Sequence, residues 1–163
     1  TADGTGTIAL QNQLSGMTDA SMPAGSVLQA VQFSNLNVNG HQSTTSTSYV
    51  DSGFSQAITP KRNNSKIIVD YNASMCHSNS TNGELLVTLK INGSSWSGLG
   101  TYGLGYQYKP AGVYYGLHFT GTYTVSSLST LTFSVWYRSA DGGDVRLAHD
   151  GSSLAITLTE VAQ

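Results

Sequence analysis

Charge is scarce in this sequence. Lys, Arg, Asp and Glu make up 10% of the chain, against about a quarter in ordinary soluble domains. The formal net charge is −2. Phosphate binding needs clustered Lys and Arg, so a nucleic-acid partner is excluded. Cysteine is limited to Cys76, which rules out an internal disulfide and a soft metal site. Its position in a strand pattern suits a small buried hydrophobe. No apolar run approaches the ~20 residues of a membrane span, and no secretory signal pattern opens the chain. Helical spacing is missing too: no segment sustains it over three turns.

What is present is hydrogen-bonding polarity. Ser, Thr, Asn and Gln dominate, with 18 Gly and 3 Pro among 163 residues. That length fits one domain with a sizeable core. Thr1 is small enough to follow a removed initiator Met, so the chain reads as a whole small protein or as the end of a longer one. The Asn-x-Ser/Thr matches at Asn63, Asn72, Asn79 and Asn92 are expected by chance in such a composition.

Residues 1–23 carry no sustained period and read as an extended arm or linker that docks through Ile8, Leu10, Leu14 and Met17. Residues 24–163 read as one β-domain. Val27 to Phe33 is a first strand, and Gln42 to Val50 a Ser/Thr-rich edge strand. Asp51-Ser52-Gly53 reads as a turn. The clearest strand follows the polar Lys61–Ser65 turn, with Ile67, Val69, Tyr71, Ala73 and Met75 on one face. Asn82-Gly83 and Asn92-Gly93 are hairpin signals flanking Leu85, Val87, Leu89 and Ile91, which suggests a meander. Leu131, Phe133, Val135 and Tyr137 give a second inward face. Leu154, Ile156 and Leu158 give a third. The sum is roughly eight to ten strands at ~8–12-residue spacing, an all-β antiparallel sandwich or jelly roll.

Reactive constellations are thin. There is no Gly-x-Ser-x-Gly elbow and no phosphate loop. Cys76 and His77 are neighbours on a strand, which sends their side chains to opposite faces. His41, His77, His118 and His149 never fall at metal spacing. Asp141-Gly-Gly-Asp144 and His149-Asp150-Gly151 read as turns rather than Ca²⁺ loops. No catalytic, metal or cofactor residue is assigned, and the expectation is a protein without enzymatic activity. Ser94 to Gly112 has no strand pattern but is rich in Gly and aromatics. Trp96, Tyr102, Tyr106, Tyr108 and Tyr114 in and beside it form the partner-binding candidate, suited to a protein interface or a sugar face. The alternative is a Gly-punctuated edge strand whose tyrosines cap the sandwich.

One resemblance is carried by Ala24-Gly25-Ser26-Val27-Leu28-Gln29, the Ser/Thr-rich Thr44 to Asp51, Ile58-Thr59-Pro60 and Ser65-Lys66-Ile67-Ile68-Val69. Over about residues 24–70 the chain resembles the C-terminal β-domains of tailed-bacteriophage virion proteins, particularly those of cyanophages and other marine phages. The resemblance implies a jelly-roll-like domain similar to tumour-necrosis-factor-like heads, often trimeric and without enzymatic activity. It implies a place on the virion as a capsid decoration (cement) protein, partnered by a major capsid protein. The alternative is a tail-fibre domain that meets tail proteins and a host surface glycan. A glycan-degrading virion enzyme is a third and weaker reading.

Overall fold

The computed structural model describes residues 18–19, 21–35, 42–78, 84–99, 103–108, 112–148 and 151–163, with backbone alone at 75 and 105–108. Among the described residues there are strands and no helix. The strands are β1 (Val27–Asn35), β2 (Ser43–Thr44), β3 (Val50–Ile58), β4 (Lys66–Ser78), β5 (Glu84–Ile91), β6 (Ser94–Ser95), β7 (Gly105–Tyr108), β8 (Tyr114–Thr124), β9 (Leu131–Ser139), β10 (Val145–Arg146) and β11 (Leu154–Val161).

These strands form an antiparallel β-sandwich, as the alternation predicts. One sheet runs β1–β11–β4–β8, because β11 and β8 flank the first half of β4. Beyond that half, β10 pairs with His77 and Ser78 at the end of β4 and carries β2 on its far side. The second sheet runs β3–β9–β5, and the other edge of β5 is shared by β6 and β7. The inward faces follow those read from the sequence, with the Met75 side chain outside the described residues. Ile67, Val69, Tyr71 and Ala73 of β4 and Leu154, Ile156 and Leu158 of β11 are fully buried. They meet Phe133 and Val135 of β9 and Leu85, Val87 and Leu89 of β5 in one core.

Several expectations are corrected. β4 and β5 lie in different sheets, so the Asn82-Gly83 signal, outside the described residues, does not close a hairpin between them. Asn92-Gly93 does make a hairpin, with φ of 51° and 80° and Ile91 paired to Ser94. Two left-handed residues in succession give the primed turn that two-residue hairpins favour.

Asp51-Ser52-Gly53 is not a turn between strands but a bulge inside β3, where the register to β9 shifts between Asp51 and Ser55. The turn chemistry is real but spent locally. Asp51 Oδ1 accepts the Gly53 amide at 2.9 Å, Gly53 takes φ 74°, and Ser52 Oγ donates to the Val135 carbonyl at 2.7 Å. A second shift in register falls between Ala73 and Cys76 on β4. It resets the alternation, which turns Cys76 into the core, while His77 is buried beside Tyr114.

The strand expected over 42–50 shrinks to Ser43–Thr44. Ser46 Oγ donates to the Ser48 carbonyl, and the Ser46 and Ser48 amides bond to Thr44 and Ser46 hydroxyls. Such local bonds compete with a ladder. Conversely, Ser94–Gly112 contains β6 and β7, both paired to β5.

Candidate functional site: an aromatic cleft at the open edge of the sandwich

The hairpin at Asn92-Gly93 returns the chain along β6 and delivers Trp96 to the gap between β5 and β8. Its amide donates to the Leu89 carbonyl at 3.3 Å, which anchors the backbone to β5. The indole then reaches the other sheet. It meets Phe119 and Tyr123 of β8 and Phe133 of β9 edge-to-face, with centroids 5.9, 6.4 and 6.4 Å away. Room comes from two glycines. A Cβ on Gly98 would fall 2.8 Å from the Trp96 Nε1, and one on Gly121 would fall 3.0 Å from Cη2. Trp96 is half-buried and packs on the core, so its ring closes one side of the sandwich.

Beside it opens a cleft of about 230 Å³. Ile91 and Leu131 form apolar lining, and Asn92, Ser94, Ser95, Trp96, Ser97 and Tyr123 supply aromatic and polar surface. Asn92 Oδ1 accepts the Thr132 amide at 2.8 Å, which fixes the orientation of its side-chain amide. Among the described residues no ionisable acid or base lines the cleft apart from the Tyr123 phenol.

The sequence candidates separate accordingly. Trp96 is in the cleft, whereas Tyr114 lies elsewhere on β8, 47% exposed and stacked on His77 at 4.7 Å. Tyr106 and Tyr108 belong to edge strand β7, their backbones opposite Leu86 and Glu84, and their side chains are not described. Tyr102 and the arm residues Ile8, Leu10, Leu14 and Met17 lie outside the described residues. The cleft residues that sequence reasoning passed over are Asn92, the serines and Tyr123. Asn92-Gly93 was visible as a turn, but nothing in the sequence shows that Asn92 bonds to Thr132 of β9 and shares a cleft with Tyr123 of β8.

Other polar groups have structural uses. Cys76 Sγ donates to the Leu147 carbonyl, and burial pushes its thiol up to about 12. Asp141 accepts from Ser139 Oγ at 2.7 Å, which lowers its carboxyl, and accepts the Gly143 amide, completing a turn. His118 and Asp70 meet at 3.2 Å on an outer sheet face. His41, His149 and Asp150 lie outside the described residues. Among those described, no group of three His, Cys, Asp or Glu is placed to hold a metal.

The most elaborate polar arrangement is a clamp on Glu160. This side chain is fully buried at the end of β11. Its oxygens accept from the Lys61 and Arg62 amides at 3.0 and 3.1 Å, from Ser65 Oγ at 2.6 Å and from Gln29 Nε2 at 2.7 Å. Burial opposes the charge, but these hydrogen bonds outweigh it and hold the carboxyl below its ordinary value. The turn so fixed also binds the segment before β1, through Arg62 Nη1 to the Met22 carbonyl at 2.9 Å and Lys61 to Asp19 at 3.5 Å.

No protein-family model and no curated protein sequence matches this chain.

Proposed function

We propose that the chain is a non-enzymatic structural module of a tailed-phage virion, a homotrimeric jelly roll that decorates the capsid surface and contacts the major capsid protein. Strand order supports the jelly-roll reading. β1–β11–β4–β8 faces β3–β9–β5–β7, and between β1 and β11 these eight strands change sheet at every step except β5 to β7. The segment with the phage resemblance builds scaffold: β1, β3, the Glu160-clamped turn and the first part of β4.

The observation that carries the trimer is the outer face of the β1–β11–β4–β8 sheet. In register it presents Ala30, Thr159, Ile68 and Thr122 in one row, and Gln32, Thr157, Asp70 and Thr120 in the next. A third row holds Ser34, Ala155, Asn72 and His118. Asp70 and His118 are the ionisable groups of these rows and meet at 3.2 Å, so burying the face against copies of the same chain desolvates one such pair and otherwise hydroxyl, amide and aliphatic groups that can hydrogen-bond across the interface. Three such surfaces around an axis fit an obligate interface, which typically exceeds ~2,000 Å². An image of the whole particle tests the assignment. Three-fold density fitted by this sandwich on the capsomers is the expected result, and a capsid surface without it overturns the reading.

A second reading, a tail-fibre domain recognising a host surface glycan, is favoured by the cleft beside Trp96. Alanine at Trp96 is a poor test of it, because the indole also closes the sandwich. Substitutions at the exposed cleft positions separate recognition from folding.

A further inference from the structure

We propose that the cleft beside Trp96 is a subsite for one neutral pyranose ring. Size sets the first limit. At about 230 Å³ the cleft falls below the ~300–1,000 Å³ of drug-sized sites, so it admits a single ring with substituents rather than an extended ligand.

Chemistry sets the second. A pyranose has an apolar C–H face and a rim of hydroxyls that both donate and accept. The cleft pairs aromatic and aliphatic surface from Trp96, Tyr123 and Ile91 with Asn92 and the hydroxyls of Ser94, Ser95 and Ser97. Asn92 is already oriented: its Oδ1 is held by the Thr132 amide, which leaves the Nδ2 donors for a ligand. Among the described residues no Lys, Arg, Asp, Glu or His lines the cleft, so the lining offers no charge to a carboxylate, sulfate or amino sugar and favours a neutral ring. Pre-formation follows from the fold. Asn92 is fixed in the left-handed region at φ 51° by the turn, and Trp96 is wedged among Phe119, Tyr123 and Phe133.

The inference deepens the second reading and rests on it only for the source of the sugar. The test uses the full chain, isotopically labelled and titrated with the methyl glycosides of glucose, galactose and mannose to ~100 mM, where weak single-ring binding saturates. Amide shifts at Asn92, Ser94–Ser97 and Tyr123 with a millimolar constant are expected for at least one glycoside. Asn92→Asp keeps the turn and the bond to Thr132 but replaces the Nδ2 donor. It should weaken binding at least tenfold while the folded spectrum is retained. Ser97→Arg should occlude the cleft and abolish the shifts.

Absence of shifts with all three glycosides overturns the proposal. So do shifts confined to another face, or shifts that persist unchanged in both variants. Particles carrying Asn92→Asp then separate the two ideas. If the isolated chain binds sugar and the variant particles adsorb normally, the subsite stands and host recognition falls. If the isolated chain binds none yet adsorption drops, recognition stands and the pyranose subsite falls.

Discussion

Glu160 is a buried carboxylate held by amide and hydroxyl donors, with no cationic side chain bonded to it among the described residues. Removing its charge leaves donors from β1 and the Pro60–Ser65 turn without their full acceptor. Hydrogen bonds to a charged group contribute about 1.5–3 kcal/mol each, so Glu160→Gln should cost about 2–3 kcal/mol. The pH dependence has a definite sign. The folded carboxyl lies below the ordinary 4.5, so its contribution is whole at neutral pH and is lost as pH falls through 4.5 and then through the folded value. Urea unfolding of wild type and Glu160→Gln should therefore differ most near neutrality and converge in acid. A gap independent of pH would show that the charge is not what the clamp recognises. This residue was half legible in the sequence. The alternation of Leu154, Ile156 and Leu158, carried two positions further, turns Glu160 inward. Its partners, Ser65 and Gln29, are 95 and 131 residues away in sequence and carry no local signal.

Among the elements, strands with one buried face were legible and departures from them were not. β9 alternates without interruption, with Leu131, Phe133, Val135 and Tyr137 inward, as the pattern states. β3 and β4 each contain a bulge, and a bulge reverses the parity on which the reading depends. β5 keeps the inward face read from the sequence, Leu85, Val87, Leu89 and Ile91, but its outer face is not open to solvent. Leu86 and Thr88, on its outer side, are 2% and 7% exposed, so both faces are covered. Edge strand β7 answers to the alternative reading of Ser94–Gly112 as a Gly-punctuated edge strand, but its pairing to β5 is tertiary and had no local signal. Glycine at the β8 edge has a specific role: it admits Trp96. Gly121→Ala would set a methyl 2.5 Å from Phe119 Cζ and 3.0 Å from Trp96 Cη2. Both rings must shift, at the ~1–3 kcal/mol typical of overpacking. Chemical denaturation should register that loss together with a change in tryptophan emission. Unaltered emission with full stability would mean that the indole does not lie against β8.

At the scale of the whole molecule, the two outer sheet faces differ in charge, and the difference bears on assembly. The β3–β9–β5 face carries cation–aromatic pairs: Lys90 sits 3.4 Å over Trp136, and Arg138 lies 5.3 Å from Tyr49. The opposite face holds threonines, alanines and one aliphatic, Ile68, at 36% exposure, with Asp70 and His118 the ionisable groups in its three rows. Periodicity revealed that these positions point outward but not that they align in register across four strands. That alignment depends on a strand order in which β11 lies between β1 and β4. If this surface packs copies of the chain into a trimer, a charge added to it must be desolvated, a penalty of several kcal/mol. Thr122 is suited to the substitution, since it lies opposite Ile68 and is exposed in the single chain. Sedimentation of the full chain should give a trimer, Thr122→Arg should sediment as a monomer with an unchanged β-sheet spectrum, and Ala57→Arg on exposed β3 should leave the trimer intact. Dissociation by Ala57→Arg but not by Thr122→Arg would move the interface to the other sheet, and a monomeric wild type would remove the trimer from the reading altogether.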